Sequence, residues 1–352
     1  LYSGQETSSR YIDMSKQARV DPVGTLESKE IQEKWMRFYT DNQERVENHL
    51  RKKYPRKADE DEGVYGRAIK ARVFDSLRAF LPAGITTQLS WHSNLRQAWD
   101  KIALLRYYPL AEVREIAATV HEKLKKKYAH SFGHKLYEAQ EAYWKMVGED
   151  YTYHKEKNYS GDFSFHTNIE HKNLEPYREL FQKRPAKTNL PHFVTDVGQV
   201  TFEFLIDFGS FRDIQRHRNG VCRMPLLTTE YGFEEWYLEQ LPADLRTEAE
   251  ALIDEQKKAI AELLCSPEEK QYYIAMGFNV TAKVTYGLPA AIYVIELRSG
   301  RLVHPTLRKV VHKAHAMLSK AFPQIPLHTD LELDDWDVRR GLQDIKEKTP
   351  NA

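Results

Sequence analysis

Two stretches of this chain read as one unit written twice. Ile85, Thr87, Leu89 and Trp91 alternate with Thr86, Gln88 and Ser90, and a helical segment from Asn94 to Arg114 follows. Val280, Ala282, Val284 and Tyr286 alternate in the same way and lead into a helical segment from Pro289 to Arg308. Both units have a breaker before the strand, a Leu-Arg pair on the first helix (Leu105-Arg106 and Leu297-Arg298), a proline-containing turn, and an Arg near the start of the next helix. Alternation buries one face of a strand. One long interval between copies points to duplication rather than to a solenoid, which needs several short repeats. At 352 residues, two domains, or one domain built from two copies, is the expected organisation.

The rest of the chain fills in around these units. Residues 29–52 read as one long amphipathic helix with Ile31, Trp35, Phe38, Val46 and Leu50 near one face, ended by Pro55. Residues 57–63 read as a charged loop, 67–80 as a helix, and Leu81-Pro82-Ala83-Gly84 as the breaker. Helices are expected over 94–106 and 109–127, the latter with Pro109 in its first turn and a stripe of Val113, Ile116, Val120 and Leu124. Residues 128–190 read as a connector with a helix near 135–147 and an aromatic loop over 150–170. Val200, Phe202, Phe204 and Ile206 mark a strand. Residues 243–264 and 305–321 are expected as helices, and the tail from 330 is acidic.

Charge and cysteine content narrow the function. Lys+Arg is 52 and Asp+Glu 51, so no global field favours nucleic acid and any anion site is local. Cys222 and Cys265 are the only cysteines, which excludes a disulfide framework and a Cys-based zinc cluster. His166 with His171, or His312 with His315, could pair on a metal, but neither pair has a third ligand in sight, so no metal is expected. No apolar run approaches the roughly 20 residues of a membrane span, and no signal peptide is visible, so a soluble cytoplasmic protein is expected. Leu1 is not an initiator Met, and dense polar chemistry begins at Ser3, so residues upstream are expected to be missing.

Several groups could carry chemistry. Arg216-His217-Arg218 repel one another unless an anion sits among them, so they are either a phosphate clamp or a solvated basic turn. Ser8, Ser9 and Arg10 could hold phosphate oxygens, or simply cap a polar turn. Arg78, Arg96 and Arg106 flank the first strand, where arginines are commonly surface charges. Asn94 could read the polar edge of a ligand, and Cys222 is either a nucleophile or a small buried thiol. No Rossmann or Walker-type phosphate loop is present.

Together these residues resemble the flavin-dependent thymidylate synthases. Ser3, Gln5, Glu6, Ser8, Arg10 and Tyr11 match the second part of the family signature, with Gln5 in place of Asn, and the signature's RHR half would precede Leu1. Arg78, Pro82, Trp91, Asn94, Arg96, Leu105 and Arg106 follow the family order, although Arg106 comes one residue late. A second copy, approached by Phe211 to Gln215, keeps Arg216-His217-Arg218 but has Val221, Arg223, Met224, Leu226 and Thr228 at nucleotide-side positions. Its Tyr273 is read as the counterpart of Arg78, and its Pro289 and Ala291 as those of Asn94 and Arg96.

The resemblance implies an α+β fold with an antiparallel or mixed sheet flanked by long helices, internally duplicated. It implies a first copy over 1–135, a connector over 136–189, a degenerate second copy over 190–330 and a tail over 331–352. It implies reductive methylation of dUMP to dTMP with methylenetetrahydrofolate, NADPH and FAD, the cofactor carrying the hard chemistry. Glu6, Ser8, Ser9, Arg10, Arg78 and Arg106 would bind the nucleotide, with Arg106 also catalytic by stabilising charge on the uracil ring. Asn94, Arg96, Arg216, His217 and Arg218 would face the flavin. A homodimer would reproduce the family's four-subunit arrangement, with no nucleic-acid or membrane partner. The alternative is a non-catalytic or altered-substrate homologue that binds nucleotide or flavin.

Overall fold

The computed structural model describes residues 3–6, 12–155, 163–333 and Trp336. It is a mixed α+β fold. The first half runs β1 (Ser3–Glu6), α1 (Leu26–Asp41), α2 (Gln43–Lys53), α3 (Glu62–Leu77), β2 (Leu89–His92), α4 (Leu95–Leu105) and α5 (Ala111–Lys127). The middle carries α6 (Ala129–Phe132), α7 (Glu138–Tyr151), β3 (Ser164–Thr167), α8 (His171–Leu174) and α9 (Arg178–Lys183). The second half runs β4 (Gln199–Asp207), α10 (Phe208–Gln215), β5 (Gly220–Arg223), α11 (Glu235–Glu239), α12 (Ala243–Glu262), α13 (Pro267–Lys270), β6 (Asn279–Gly287), α14 (Leu288–Ser299) and α15 (Pro305–Ala321). No helix among the described residues is long and apolar enough to cross a membrane.

The main sheet is antiparallel, in the order β3-β4-β6-β5. Its centre is the β4–β6 pair, in register from Gln199 opposite Gly287 to Asp207 opposite Asn279. Period-two alternation sends Val200, Phe202, Phe204 and Ile206 into the core. On the other face the Thr201 and Thr285 hydroxyls meet at 2.9 Å, and Lys283 pairs with Glu203 at 2.5 Å. The residues read as a plain connector thus supply an edge strand, β3, to this sheet.

Three expectations need correction. The helix read over 29–52 is two helices, because the Asn42 side chain donates to the Phe38 carbonyl at 3.0 Å and competes with the ladder. The strand read over 85–91 shrinks to β2, all four of whose residues are exposed. Its one strand neighbour among the described residues is β1, with Gly4 opposite Trp91, so neither face is covered by a layer. The stripe on α5 packs only in part: Val120 and Leu124 lie against the satellite core, while Ile116 is 55% exposed.

The two halves meet at a pair of matching turns. Each ends a helical approach in a 3-10 turn, Arg78–Phe80 or Gln271–Tyr273. The backbones then exchange hydrogen bonds reciprocally. Ala83 N donates to Ile274 O (2.8 Å) and Met276 N to Leu81 O (2.9 Å); Gly84 N donates to Tyr272 O (2.9 Å) and Gly277 N to Ala79 O (2.8 Å). Pro82 and Ala275 face each other across the bridge. Every pair equates residues at one constant interval, so a local pseudo-two-fold axis passes between Pro82 and Ala275. The flanking segments follow it too: Val20 N donates to Gly84 O and Glu234 N to Gly277 O, both at 2.8 Å. Trp35, wholly buried beside this junction, donates its indole N–H to Tyr273 O at 3.0 Å. The main core runs through both halves, while a satellite core of Ala98, Ile102 and Phe132 sits under α4 and α5.

Candidate functional site

Helix α10 organises the charged groups. It starts where β4 ends, and Asp207 is its N-cap: Oδ2 accepts from Ser210 N and from the Tyr237 hydroxyl, both at 2.8 Å. Arg78 reaches across from the first half and donates Nη2 to Ser210 Oγ at 3.1 Å. Ser210 Oγ also meets Thr306 Oγ1 at 2.8 Å. Burial opposes the charge on Arg78, but Tyr237, Asp207 and Asp213 outweigh it and hold its pKa above the ordinary value. Arg78 Nε and Asp207 Oδ1 are buried without a hydrogen-bond partner.

The other end of α10 delivers Arg216-His217-Arg218. Asp213 pairs with Arg216 at 3.6 Å and relieves part of the repulsion. His217 Nε2 accepts from Arg298 Nε at 2.8 Å, and Arg298 Nη2 donates to the Asp213 carbonyl at 3.2 Å. The Tyr293 ring meets the imidazole edge to face at 6.0 Å. Burial first, and the Arg298 charge second, lower the His217 pKa to about 4, so the imidazole is neutral and, with Nε2 accepting, carries its proton on Nδ1. Arg218 lies over the β1–β2 ribbon of the first half: its Nη2 is 3.1 Å from where a Cβ on Gly4 would stand. A Cβ there would make the guanidinium give way by a few tenths of an ångström.

The first-half residues are more dispersed. Glu6 lies in β1, while Ser8, Ser9 and Arg10 fall outside the described residues. Asn94 follows β2 directly and is the N-cap of α4, its Oδ1 accepting from Gln97 N at 2.9 Å. Arg96 is exposed, with no ion pair among the described residues, in a groove of about 450 Å³ shared with Trp99, Asp100, His130 and His134. Arg106 sits at the C-cap of α4 and pairs with Glu141 of α7 at 3.0 Å, beside Tyr107, whose hydroxyl donates to the same carboxylate at 2.6 Å. Arg78 and Arg106 line no common cavity among the described residues. Those residues also hold no group of three or more His, Cys, Asp or Glu placed for a metal ion.

The pseudo-two-fold resets the register of the second half. Gln271, not Tyr273, stands opposite Arg78, and Gly287 and Pro289, not Pro289 and Ala291, stand opposite Asn94 and Arg96. Counted from these N-caps, Arg298 precedes the place that mirrors Arg106 by one residue, about 100° of helix rotation. That single step turns Arg298 to His217 and Arg106 to Glu141. Sequence reasoning noted Arg298 as a repeat marker and did not assign it to a site. The signal was its helix phase relative to Gly287.

With this geometry in view, residues 1–128 match the family model described as Thymidylate synthase complementing protein. Curated relatives extend the similarity. A UPF0159 protein of Chlamydia pneumoniae is 24% identical over 86% of this chain and 65% of its own length. One of Chlamydia muridarum is 25% identical over 75% and 58%, and one of Thermoplasma acidophilum is 31% identical over 43% and 30%. The chain thus spans less than two thirds of the length of these relatives.

Proposed function

We propose that this chain is a duplicated, FAD-dependent thymidylate synthase that methylates dUMP reductively with methylenetetrahydrofolate and NADPH. The carrying observation is that α10 of the second half sets Arg218 over Gly4 of the first-half ribbon, immediately before the Glu6–Arg10 segment. The family match of residues 1–128 and the reciprocal hydrogen bonding of the two turns support the same reading. Bound FAD would supply hydride transfer. The residues fit an anionic dinucleotide: Arg96 beside Trp99 lacks an ion pair among the described residues, Arg216 and Arg218 add charge, and neutral His217 presents an Nδ1–H donor. Glu6, Ser8, Ser9 and Arg10 would hold the nucleotide, and Arg78 would brace α10. A homodimer follows from the uncovered faces of α5 and β2, where Ile116 and Leu89 are 55% and 70% exposed.

The second reading is a nucleotide- or flavin-binding homologue without methylation. It is favoured by Arg106, whose guanidinium is already engaged by Glu141. Anaerobic incubation with dUMP, methylenetetrahydrofolate and NADPH separates the two. Thymidylate formed by a yellow protein that NADPH bleaches supports the synthase, and a reducible flavin with no thymidylate rejects it. Light scattering at the mass of one chain rejects the dimer.

A further inference from the structure

Beside the paired turns lies another cavity, of about 310 Å³, lined by none of the residues assigned above. Phe208 and Phe211 of α10 form one wall, and Tyr108, Tyr153 and Tyr272 stand around them. Gln271, the pseudo-symmetric mate of Arg78, is on this cavity, so the second half has an amide where the first has a guanidinium. The amide is already committed: Oε1 accepts from Leu227 N at 2.9 Å, and Nε2 donates to the Tyr153 hydroxyl at 2.9 Å and to Glu268 O at 3.1 Å. The Tyr153 ring in turn meets the Tyr108 ring edge to face at 6.3 Å, and the Tyr108 O–H has no acceptor among the described residues.

The lining is mostly aromatic and apolar and carries a single charged side chain. Burial raises the pKa of Tyr108 and Tyr153, and lifts the Cys222 thiol to about 12, so all three stay protonated. Among the described residues that line the cavity, Arg223 alone is charged. Its Nη2 is spent on the Tyr151 and Tyr153 carbonyls, at 2.9 and 3.2 Å. An anion placed here would lose its hydration against aromatic rings and one committed cation, which is costly. A flat uncharged ring instead gains from stacked and edge-to-face packing. The volume is at the low end for ligand pockets and suits one heterocycle, not a dinucleotide.

We infer that this cavity binds an uncharged planar heteroaromatic ring with an acceptor on its edge, of the size of a nucleobase or nucleoside, and that the Tyr108 hydroxyl donates to that acceptor. The site does not depend on the reaction proposed above.

The test is calorimetric titration of the full chain, and of its Cys222→Phe variant, with uridine, thymidine and adenosine, each against its 5′-monophosphate, and only binding that Cys222→Phe removes is counted as the cavity's. At least one nucleoside is expected to bind with a Kd below about 1 mM, and its monophosphate at least about tenfold more weakly. Tyr108→Phe is expected to weaken binding about fivefold, the loss of one neutral hydrogen bond. Cys222→Phe fills the cavity and abolishes binding, with folding checked by circular dichroism. Arg216→Ala leaves nucleoside binding unchanged. The inference is overturned if no nucleoside binds, if the monophosphates bind better, or if Tyr108→Phe and a folded Cys222→Phe both retain wild-type affinity. A cavity binder with no thymidylate activity would reject only the synthase.

Discussion

Arg298→Met removes the positive charge beside His217 and the donor to its Nε2 while keeping an unbranched side chain of similar reach. In the native protein the imidazole titrates at about 4 instead of 6.5, with burial the main cause and Arg298 the next. A unit charge about 4 Å away is worth about 1 kcal/mol even at the dielectric of water, or about 0.7 of a pKa unit, and more in a half-buried place. The His217 pKa is therefore expected to rise by about one unit in Arg298→Met, and to stay below 6.5 because burial persists. Imidazole resonances followed by NMR from pH 4 to 8, with His217→Gln for assignment, measure it directly. The sign for stability follows from the depressed pKa. Between about 4 and 6.5 the unfolded chain binds more protons than the folded one, so this contribution is full above pH 6.5 and is lost as pH falls toward 4. The full displacement corresponds to about 3 kcal/mol, and solvent screening at a half-buried ring reduces that to about 2. Arg298→Met should flatten this pH dependence. A native His217 that titrates near 6.5, or a pKa unmoved by Arg298→Met, would refute the reasoning.

Other substitutions probe the scaffold. Gly84→Ala puts a Cβ 2.8 Å from Tyr272 O and 2.9 Å from Val20 O, and Gly277→Ala puts one 2.3 Å from the Phe233 ring; each should cost about 2–3 kcal/mol in urea unfolding. A cost in one but not the other would break the equivalence of the two turns. Gly66, inside α3 with open space around its Cβ position, should behave oppositely: Gly66→Ala raises stability by about 0.5–1 kcal/mol and lifts Tm. Arg78→Met empties the polar contact to Ser210 and withdraws a buried charge from Asp207, so a loss of about 3–5 kcal/mol is expected; an unchanged melting temperature would show that Arg78 does not brace α10.

What could be read from residues alone was whatever depends on local periodicity. β4, β6, α12 and α15 lie close to where alternation and 3.6-residue stripes put them, because each packs one apolar face on the main core. The strand at 85–91 failed for the converse reason: alternation promises a buried face, but β2 meets only β1 among the described residues and remains exposed. The charged cluster was visible as Arg216-His217-Arg218, yet its partner Arg298 lies far along the chain, and only tertiary packing brings the two to 2.8 Å. Arg106 shows the limit of spacing: one residue of helix phase separates a guanidinium that meets His217 (Arg298) from one that meets Glu141 of α7 (Arg106). The cavity around Tyr108, Tyr153 and Gln271 had no linear signal, since its walls come from both halves and the middle segment.

The local pseudo-two-fold lets the two turns carry different side chains without losing their joint backbone. What holds the turns together is backbone: four reciprocal N–H to C=O bonds, closed by glycines that admit the partner chain. Backbone hydrogen bonds make no demand on side-chain charge, so Arg78 and Gln271 occupy equivalent places while one supports a buried polar cluster at α10 and the other a largely aromatic cavity. Divergence at those two positions leaves the seam intact, whereas a Cβ at Gly84 strikes the Tyr272 carbonyl within it and one at Gly277 strikes the Phe233 ring beside it. Constraint therefore falls on the smallest residues of the junction, and chemical variation on the largest, which is why a charged site and a largely aromatic one can sit on either side of a single axis.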